Sequence, residues 1–465
     1  MSDRTITLRN PADDSVIQDV PLATVHDVDQ AVIRAQAALP AWRDMAPNDR
    51  VKIMRRFAET IAAHAQELAE LDTRNMGMPI GSSKWCADTA AEVIHYYAGA
   101  IDKHLGHTYP VAGGVTMTFH EPLGVVGLIV PWNFPVLIAC WKLGPALACG
   151  NTVILKPAET TPLSAMRLGE LALEAGIPEG VLQVVVGTGP EAGWRLVEHP
   201  MVRKIGFTGS TAVGKRIMAG GAEHLKRVTL ELGGKSANIV FADADIETVA
   251  ASAPGAVFDN SGQDCCSRSR IFVQRPIFDE FVELMIAETQ KIVVGDPMDP
   301  ATNMGPLFTR AHHDRVSSYL EGVTPTWTGS APTGNGYWFP CTIIATSDIT
   351  SRVCTEEIFG PIATIIPFTD ENDVLKMAND TEYGLSGSVW TRDAERAMRV
   401  ARRLEGGTLS VNSNSSVRFS TPFGGFKQSG GSREAGIDAI HEYTRTKTTW
   451  INTSPDPMSN PFVMR

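Results

Sequence analysis

Between residues 124 and 232 the chain repeats one pattern five times, a short apolar run followed by a polar or helical stretch. The runs are 124–130, 152–155, 182–186, 204–208 and 228–232. Each is apolar nearly throughout instead of alternating, which suits strands of a parallel sheet covered on both faces. One connecting segment is well marked as a helix. Thr161 is placed to cap it, Pro162 fits its first turn, and Gly176 can end it in a left-handed conformation. Leu168, Leu171, Ala172 and Ala175 then share one face toward the sheet. Strand–helix–strand alternation of this kind predicts an α/β fold with an open sheet of Rossmann type.

The rest of the chain is arranged around that unit. Residues 24–39 read as an amphipathic helix with Val28, Ala31, Val32 and Ala35 on one side, and helical sequence continues to about Gly99. A second α/β region runs over 234–431, residues 443–452 read as a strand, and 455–465 as a loose tail. At 465 residues the chain exceeds what one hydrophobic core supports, so two or three packed domains are expected.

Charge and cysteine usage narrow the function classes. The 41 basic and 52 acidic residues leave a net −11, which argues against general nucleic-acid or anionic-membrane binding. The apolar runs are too short to span a bilayer, and the N-terminus lacks a secretory pattern. Seven cysteines without regular spacing point away from disulfide or zinc frameworks and toward a reducing cytoplasm, with no metal expected.

Four motifs carry chemistry. The stretch Asn260-Ser261-Gly262-Gln263-Asp264-Cys265-Cys266 holds a thiol, which reads either as a nucleophile or as an inert buried cysteine. Glu231 in Glu231-Leu232-Gly233-Gly234-Lys235 is a candidate base, and Asn133 in Pro131-Trp132-Asn133-Phe134-Pro135 a candidate oxyanion donor. Glu357 and Phe359, in Glu356-Glu357-Ile358-Phe359-Gly360-Pro361, are candidate cofactor contacts. Gly209, Gly214 and Lys215 fit the spacing of a P-loop, but Arg216 stands where Ser or Thr would reach magnesium. The alternative is a strand ending at Thr208 and a helix starting near Ser210, whose free N–H groups meet a pyrophosphate. Lys156 and Glu159 follow a strand end, where they either hold ribose hydroxyls or form a solvated pair.

With these motifs in this order, from about Asn10 to Lys447, the chain resembles the aldehyde dehydrogenase superfamily of NAD(P)-dependent enzymes. The resemblance implies Cys265 as nucleophile, Asn133 with the Cys265 backbone N–H as oxyanion hole, Glu231 as general base and Lys142 beside it. It implies NAD contacts at Pro131, Trp132, Lys156, Glu159, Phe207, Gly209, Ser210, Glu231, Leu232, Gly233, Glu357 and Phe359. Glu159 would repel a 2′-phosphate, favouring NAD over NADP. The implied domains are 1–105 with 123–233 for NAD, 234–432 for catalysis, and 106–122 with 433–465 as an oligomerisation arm and C-terminal segment. That arm implies a homodimer or homotetramer. The hydrolytic Glu231 favours a free acid over an acyl-CoA as product.

The resemblance also places Phe134, Ile138, Trp141, Asp259, Val417 and Phe423 along the tail of the aldehyde, with Trp85 and Asp88 nearby. Asp259 replaces an aromatic residue common in the family, and Ser432 replaces a glycine. Aromatic walls with a carboxylate suit a cationic tail, hence an aminoaldehyde. Arg418 would instead favour a carboxylated semialdehyde of the succinate type, and simple aldehydes are a third expectation. A thiol esterase working without cofactor, or a silent binding protein on the same fold, are the readings from other classes.

Overall fold

In the computed structural model, residues 4–455 are described, so the expected tail beyond Pro455 lies outside them. Five strands, β1 (Val125–Ile129), β2 (Thr152–Lys156), β3 (Leu182–Val184), β4 (Val202–Thr208) and β5 (Arg227–Glu231), form one sheet in the order β3-β2-β1-β4-β5. All neighbours are parallel. Successive residues of a strand face opposite sides, and both sides here are apolar. Val126 and Leu128 of β1 pack in one cluster with the four-helix layer described below, whereas Val125 and Ile129 pack in another with Val28, Ala31, Val32 and Ala35.

Those last four residues lie on α1 (Val25–Arg43). Thr24 starts it with a reciprocal cap: Thr24 Oγ1 accepts from the Asp27 N–H at 3.2 Å, and Asp27 Oδ2 accepts from the Thr24 N–H at 2.8 Å. The opposite face is covered by α2 (Pro47–Ala63), α3 (Ala65–Met76), α4 (Ile80–Ala98) and the crossover α5 (Pro135–Ala148). The next crossover, α6 (Leu163–Glu174), begins one residue later than the sequence suggests. Thr161 does not cap it, since its buried hydroxyl has no partner, whereas Gly176 closes the segment at φ +89° as expected.

The second region builds a seven-stranded sheet. Its strands are β6 (Ala237–Val240), β7 (Arg270–Gln274), β8 (Trp327–Thr328), β9 (Thr342–Ala345), β10 (Ile362–Phe368), β11 (Ser386–Trp390) and β12 (Thr408–Val411). The order is β8-β9-β10-β7-β6-β11-β12, antiparallel only at β8–β9. The segments Thr108–Val111, Gly114–Pro122 and Thr444–Asn452 form a separate antiparallel ribbon. No helix among the described residues is long and apolar enough to cross a membrane.

Candidate active site

The first sheet reverses strand order between β1 and β4, so their carboxyl ends open into a crevice. Pro131, Trp132 and Asn133 leave β1 there, Thr208, Gly209 and Ser210 leave β4, and Leu232 and Gly233 follow β5. The second sheet meets this crevice with its amino edge. Gly234 precedes β6, Cys265 precedes β7, and Glu357 and Phe359 precede β10. All of these except Gly234 line one cavity of about 400 Å³, together with Phe134, Ile138 and Glu231. Two sheets thus supply opposite halves of one site.

The Cys265 loop is held by an unusual backbone. Asn260, Ser261 and Gly262 have φ of +50°, +58° and +70°, a left-handed run that costs energy at the two non-glycine positions. Its hydrogen bonds over-determine it. Asn260 Nδ2 donates to the Asn133 carbonyl at 2.9 Å, Ser261 Oγ to the Gly305 carbonyl at 2.7 Å, and Gln263 Nε2 to the Asn260 carbonyl at 3.0 Å. Asn133 Nδ2 donates to the Gln263 carbonyl at 2.9 Å, tying its amide to the residue two before the thiol. A side-chain amide carries two N–H donors, so one remains for a ligand oxygen.

The opposite wall is aromatic and carboxylate. Trp132 stacks on Phe308 with ring centroids 3.5 Å apart, and Phe359 meets Trp132 edge-on at 5.4 Å. His312 Nε2 contacts the Phe359 carbonyl at 2.7 Å, and Arg315 donates to the Glu357 carbonyl at 2.9 Å. Burial pushes His312 down to about 4, so it stays neutral. Glu357 Oε1 accepts from the Gly234 N–H at 2.9 Å, while burial pushes its carboxyl up to about 7. Phe308, Thr309, Ala311, His312 and Arg315 were not legible as site residues in the sequence, because no motif marks 308–315; Thr208 was read only as a strand end.

Glu231 is buried with neither carboxylate oxygen hydrogen-bonded. Burial, and then the neighbouring Glu434, drive its pKa well upward, against the opposing pull of Lys142 and Arg433. Lys142 is itself buried and paired with Glu434. For Cys265, a hydrogen bond with Cys266 and burial drive the thiol upward. Ser432, the replaced glycine, accepts from the Leu230 N–H at 3.2 Å beside Glu231.

Several expected contacts are not on the wall of this cavity. Phe207 lies in the core, beneath Gly209, and off the cavity wall. Lys156 and Glu159 bond to each other at 2.9 Å at the end of β2, outside the wall. Trp141 and Phe423 meet with ring centroids 5.5 Å apart in the helical core cluster, against which Val417, Phe419, Phe134, Ile138 and Cys265 also pack. Asp259 is also off the wall. It is open to solvent by area yet hemmed in by protein, and burial with Asp264 nearby pushes it up to about 6. Asp88 is engaged by Lys84 at 2.5 Å, Trp85 is exposed, and Arg418 donates to Ser415 Oγ and the Val417 carbonyl. The P-loop alternative fails on geometry: a helix, α7 (Thr211–Gly221), starts after Ser210 and Lys215 points to solvent.

The crevice fits a dinucleotide. The first turn of α7 has no side-chain cap, and the buried Thr208 hydroxyl beside it is unpartnered. Gly233 lets the Glu357 carboxylate close onto the backbone: a Cβ there would sit 2.2 Å from Glu357 Oε2.

Known proteins place this architecture. The model of the aldehyde dehydrogenase family matches residues 1–449. The chain is 42% identical over 450 residues to the NADP/NAD-dependent aldehyde dehydrogenase PuuC of Escherichia coli, covering 94% of this chain and 91% of that protein. It is 42% identical over 467 residues to phenylacetaldehyde dehydrogenase of Pseudomonas fluorescens, covering 97% and 93%. The structure of PnpE from Pseudomonas sp. WBC-3, also solved with nicotinamide adenine dinucleotide, superposes with a TM-score of 0.96 at 42% identity, covering 99% and 96%. Sequence, fold and cavity therefore agree, and the chain belongs to the aldehyde dehydrogenase family.

Proposed function

We propose that the protein oxidises an aldehyde to the free acid with NAD, through a thioester on Cys265 that Glu231-activated water hydrolyses. The single observation that carries this reading is that Cys265, Asn133, Glu231 and Glu357 open onto one cavity. Cys265 gives its S–H proton to solvent, and the thiolate adds to the aldehyde carbon. The remaining Asn133 N–H and the Cys265 backbone N–H take the charge on oxygen, where one such donor is worth on the order of a hundredfold to a thousandfold in rate. Bound NAD supplies the hydride acceptor. Glu357 and Phe359 hold its nicotinamide half, Ser210 and the first turn of α7 its pyrophosphate, and Lys156 and Glu159 its adenosine ribose. Glu159 at that position disfavours a 2′-phosphate.

Glu231 then takes a proton from water. A buried carboxyl with a raised pKa is a stronger base once ionised, which suits it to this step. Lys142, paired with Glu434, tempers that rise.

For the substrate, an aminoaldehyde is our reading. The aromatic groups Trp141 and Phe423 belong to the core cluster against which Phe134 and Cys265 pack, and the Asp259 carboxyl is on the segment leading to Cys265. The domain division 1–105 with 123–233, 234–432, and 106–122 with 433–465 follows the two sheets and the ribbon. The ribbon carries exposed Tyr109, Val111, Phe119, Trp450 and Ile451, which supports assembly of dimers or tetramers through it.

The test is NADH and NADPH formation by wild type and Cys265→Ala with aminoaldehydes, succinate semialdehyde, and neutral aliphatic and aromatic aldehydes. NADH formation lost in the variant and fastest with aminoaldehydes supports both parts. Full activity in Cys265→Ala ends the nucleophile assignment, and preference for neutral aldehydes ends the substrate assignment.

A further inference from the structure

Cys265 is followed by a second thiol to which the reaction assigns no role. In an extended strand, neighbouring side chains point to opposite faces. Here residues 265 and 266 form a turn, which brings both sulfurs to one side. The Asp264 carboxylate joins them, and ligand atoms of Asp264, Cys265 and Cys266 all lie within 4.8 Å of one another. Asp264 Oδ1 is fixed by the Cys266 N–H at 2.9 Å, which orients the carboxylate toward the thiols.

We propose that Asp264, Cys265 and Cys266 form a chelating site for a thiophilic divalent cation, such as zinc, that blocks the enzyme when occupied. Tetrahedral zinc with sulfur at about 2.3 Å separates two thiolates by roughly 3.8 Å. The observed spread of donor atoms needs only small side-chain rotations to reach that geometry. Two sulfurs and one oxygen leave one position for water, which the cavity beside Cys265 supplies. The charge balance also fits. Arg315 is the one lysine or arginine on the cavity wall, so little fixed positive charge opposes the ion.

Binding is not a redox step. Two S–H protons leave to solvent as two metal–sulfur bonds form, and neither the metal nor the sulfurs change oxidation state. The ion competes with the aldehyde carbon for the same lone pair. That inhibitory consequence rests on Cys265 as nucleophile, whereas binding itself does not.

Cadmium titration of the full-length protein reads the site directly, through the ultraviolet charge-transfer absorbance of cadmium thiolate. One equivalent per subunit is expected in wild type. Cys266→Ser should lose at least about a hundredfold in affinity, the upper end of what even an indirect partner costs, while retaining aldehyde oxidation. Asp264→Asn gives a second, milder variant. Alkylation of wild type, followed by mass spectrometry, needs no variant: zinc should protect Cys265 and Cys266 together. No thiolate absorbance in wild type, no protection, or unchanged affinity in Cys266→Ser would overturn the site. Two-thiolate binding that leaves aldehyde oxidation intact would support the site and overturn the role of Cys265 as nucleophile.

Discussion

Gly262 and Gly360 press together: a Cβ on Gly262 would lie 2.3 Å from the Gly360 carbonyl oxygen. The contact joins the loop that carries the thiol to the loop that carries Glu357 and Phe359. Position 262 also sits at φ +70°, where a side chain is strained even in open space. Both effects act on one residue, so two loops of the second sheet, one with the thiol and one with Glu357, meet at a single glycine.

Gly262→Ala is therefore expected to destabilise the protein by about 1–3 kcal/mol and to depress NADH formation together with thermal stability. Thermal unfolding and steady-state rates check this. A variant with wild-type melting and wild-type turnover would show that the loops are coupled by something other than this contact.

Glu231→Gln should separate the two halves of the reaction. Removing the base slows water attack by on the order of a hundredfold to ten-thousandfold, while thioester formation continues. Stopped-flow absorbance should show a burst of NADH of about one equivalent per site, followed by a slow steady state. Absence of a burst would move Glu231 to the first half of the reaction.

The Glu357 carboxyl, pushed up to about 7 by burial, is mostly protonated below that pH and ionised above it. Only the ionised form accepts with both oxygens. NAD affinity, measured by calorimetry, should thus rise between pH 6 and pH 8. Glu357→Gln should flatten that profile and weaken binding roughly tenfold to hundredfold, the worth of a charge-assisted hydrogen bond.

Asp72 on α3 lies buried against the start of α5, where its Oδ2 accepts from the Val136 N–H at 3.3 Å. Burial pushes its pKa up to about 7 from an ordinary value near 3.8. Between those values the unfolded chain releases a proton that the folded one keeps, so stability is lost as pH rises from 4 to 7. Asp72→Asn keeps an acceptor, removes the titration and should flatten the dependence of melting temperature on pH over that window. An unchanged slope would mean that other buried acids, such as Glu231, dominate it.

The five strands of the first sheet were legible because a strand buried on both faces needs apolar residues at every position, and that is a local property. Helix α1 was legible because Val28, Ala31, Val32 and Ala35 recur at helical spacing, which is also a local property. The chemistry of Cys265, Glu231, Asn133 and Glu357 could be read from motif context. Three matters could not. Phe308 enters the site only by stacking on Trp132, some 176 positions earlier (308 − 132), and nothing local signals such a partner. Phe207 belongs to a nucleotide-site motif but packs in the core, because strand residues alternate faces and it is Thr208 and the turn after it that reach the crevice. Sequence can name the Asp259 carboxyl, whereas its place off the cavity wall is visible only in the folded loop. Sequence alone determined the strands of the first sheet, helix α1 and which groups can do chemistry, since periodicity and side-chain type are local. Tertiary structure decided which loops meet, because the order of strands in two sheets, and the contact between Gly262 and Gly360, are set by packing between distant parts of the chain.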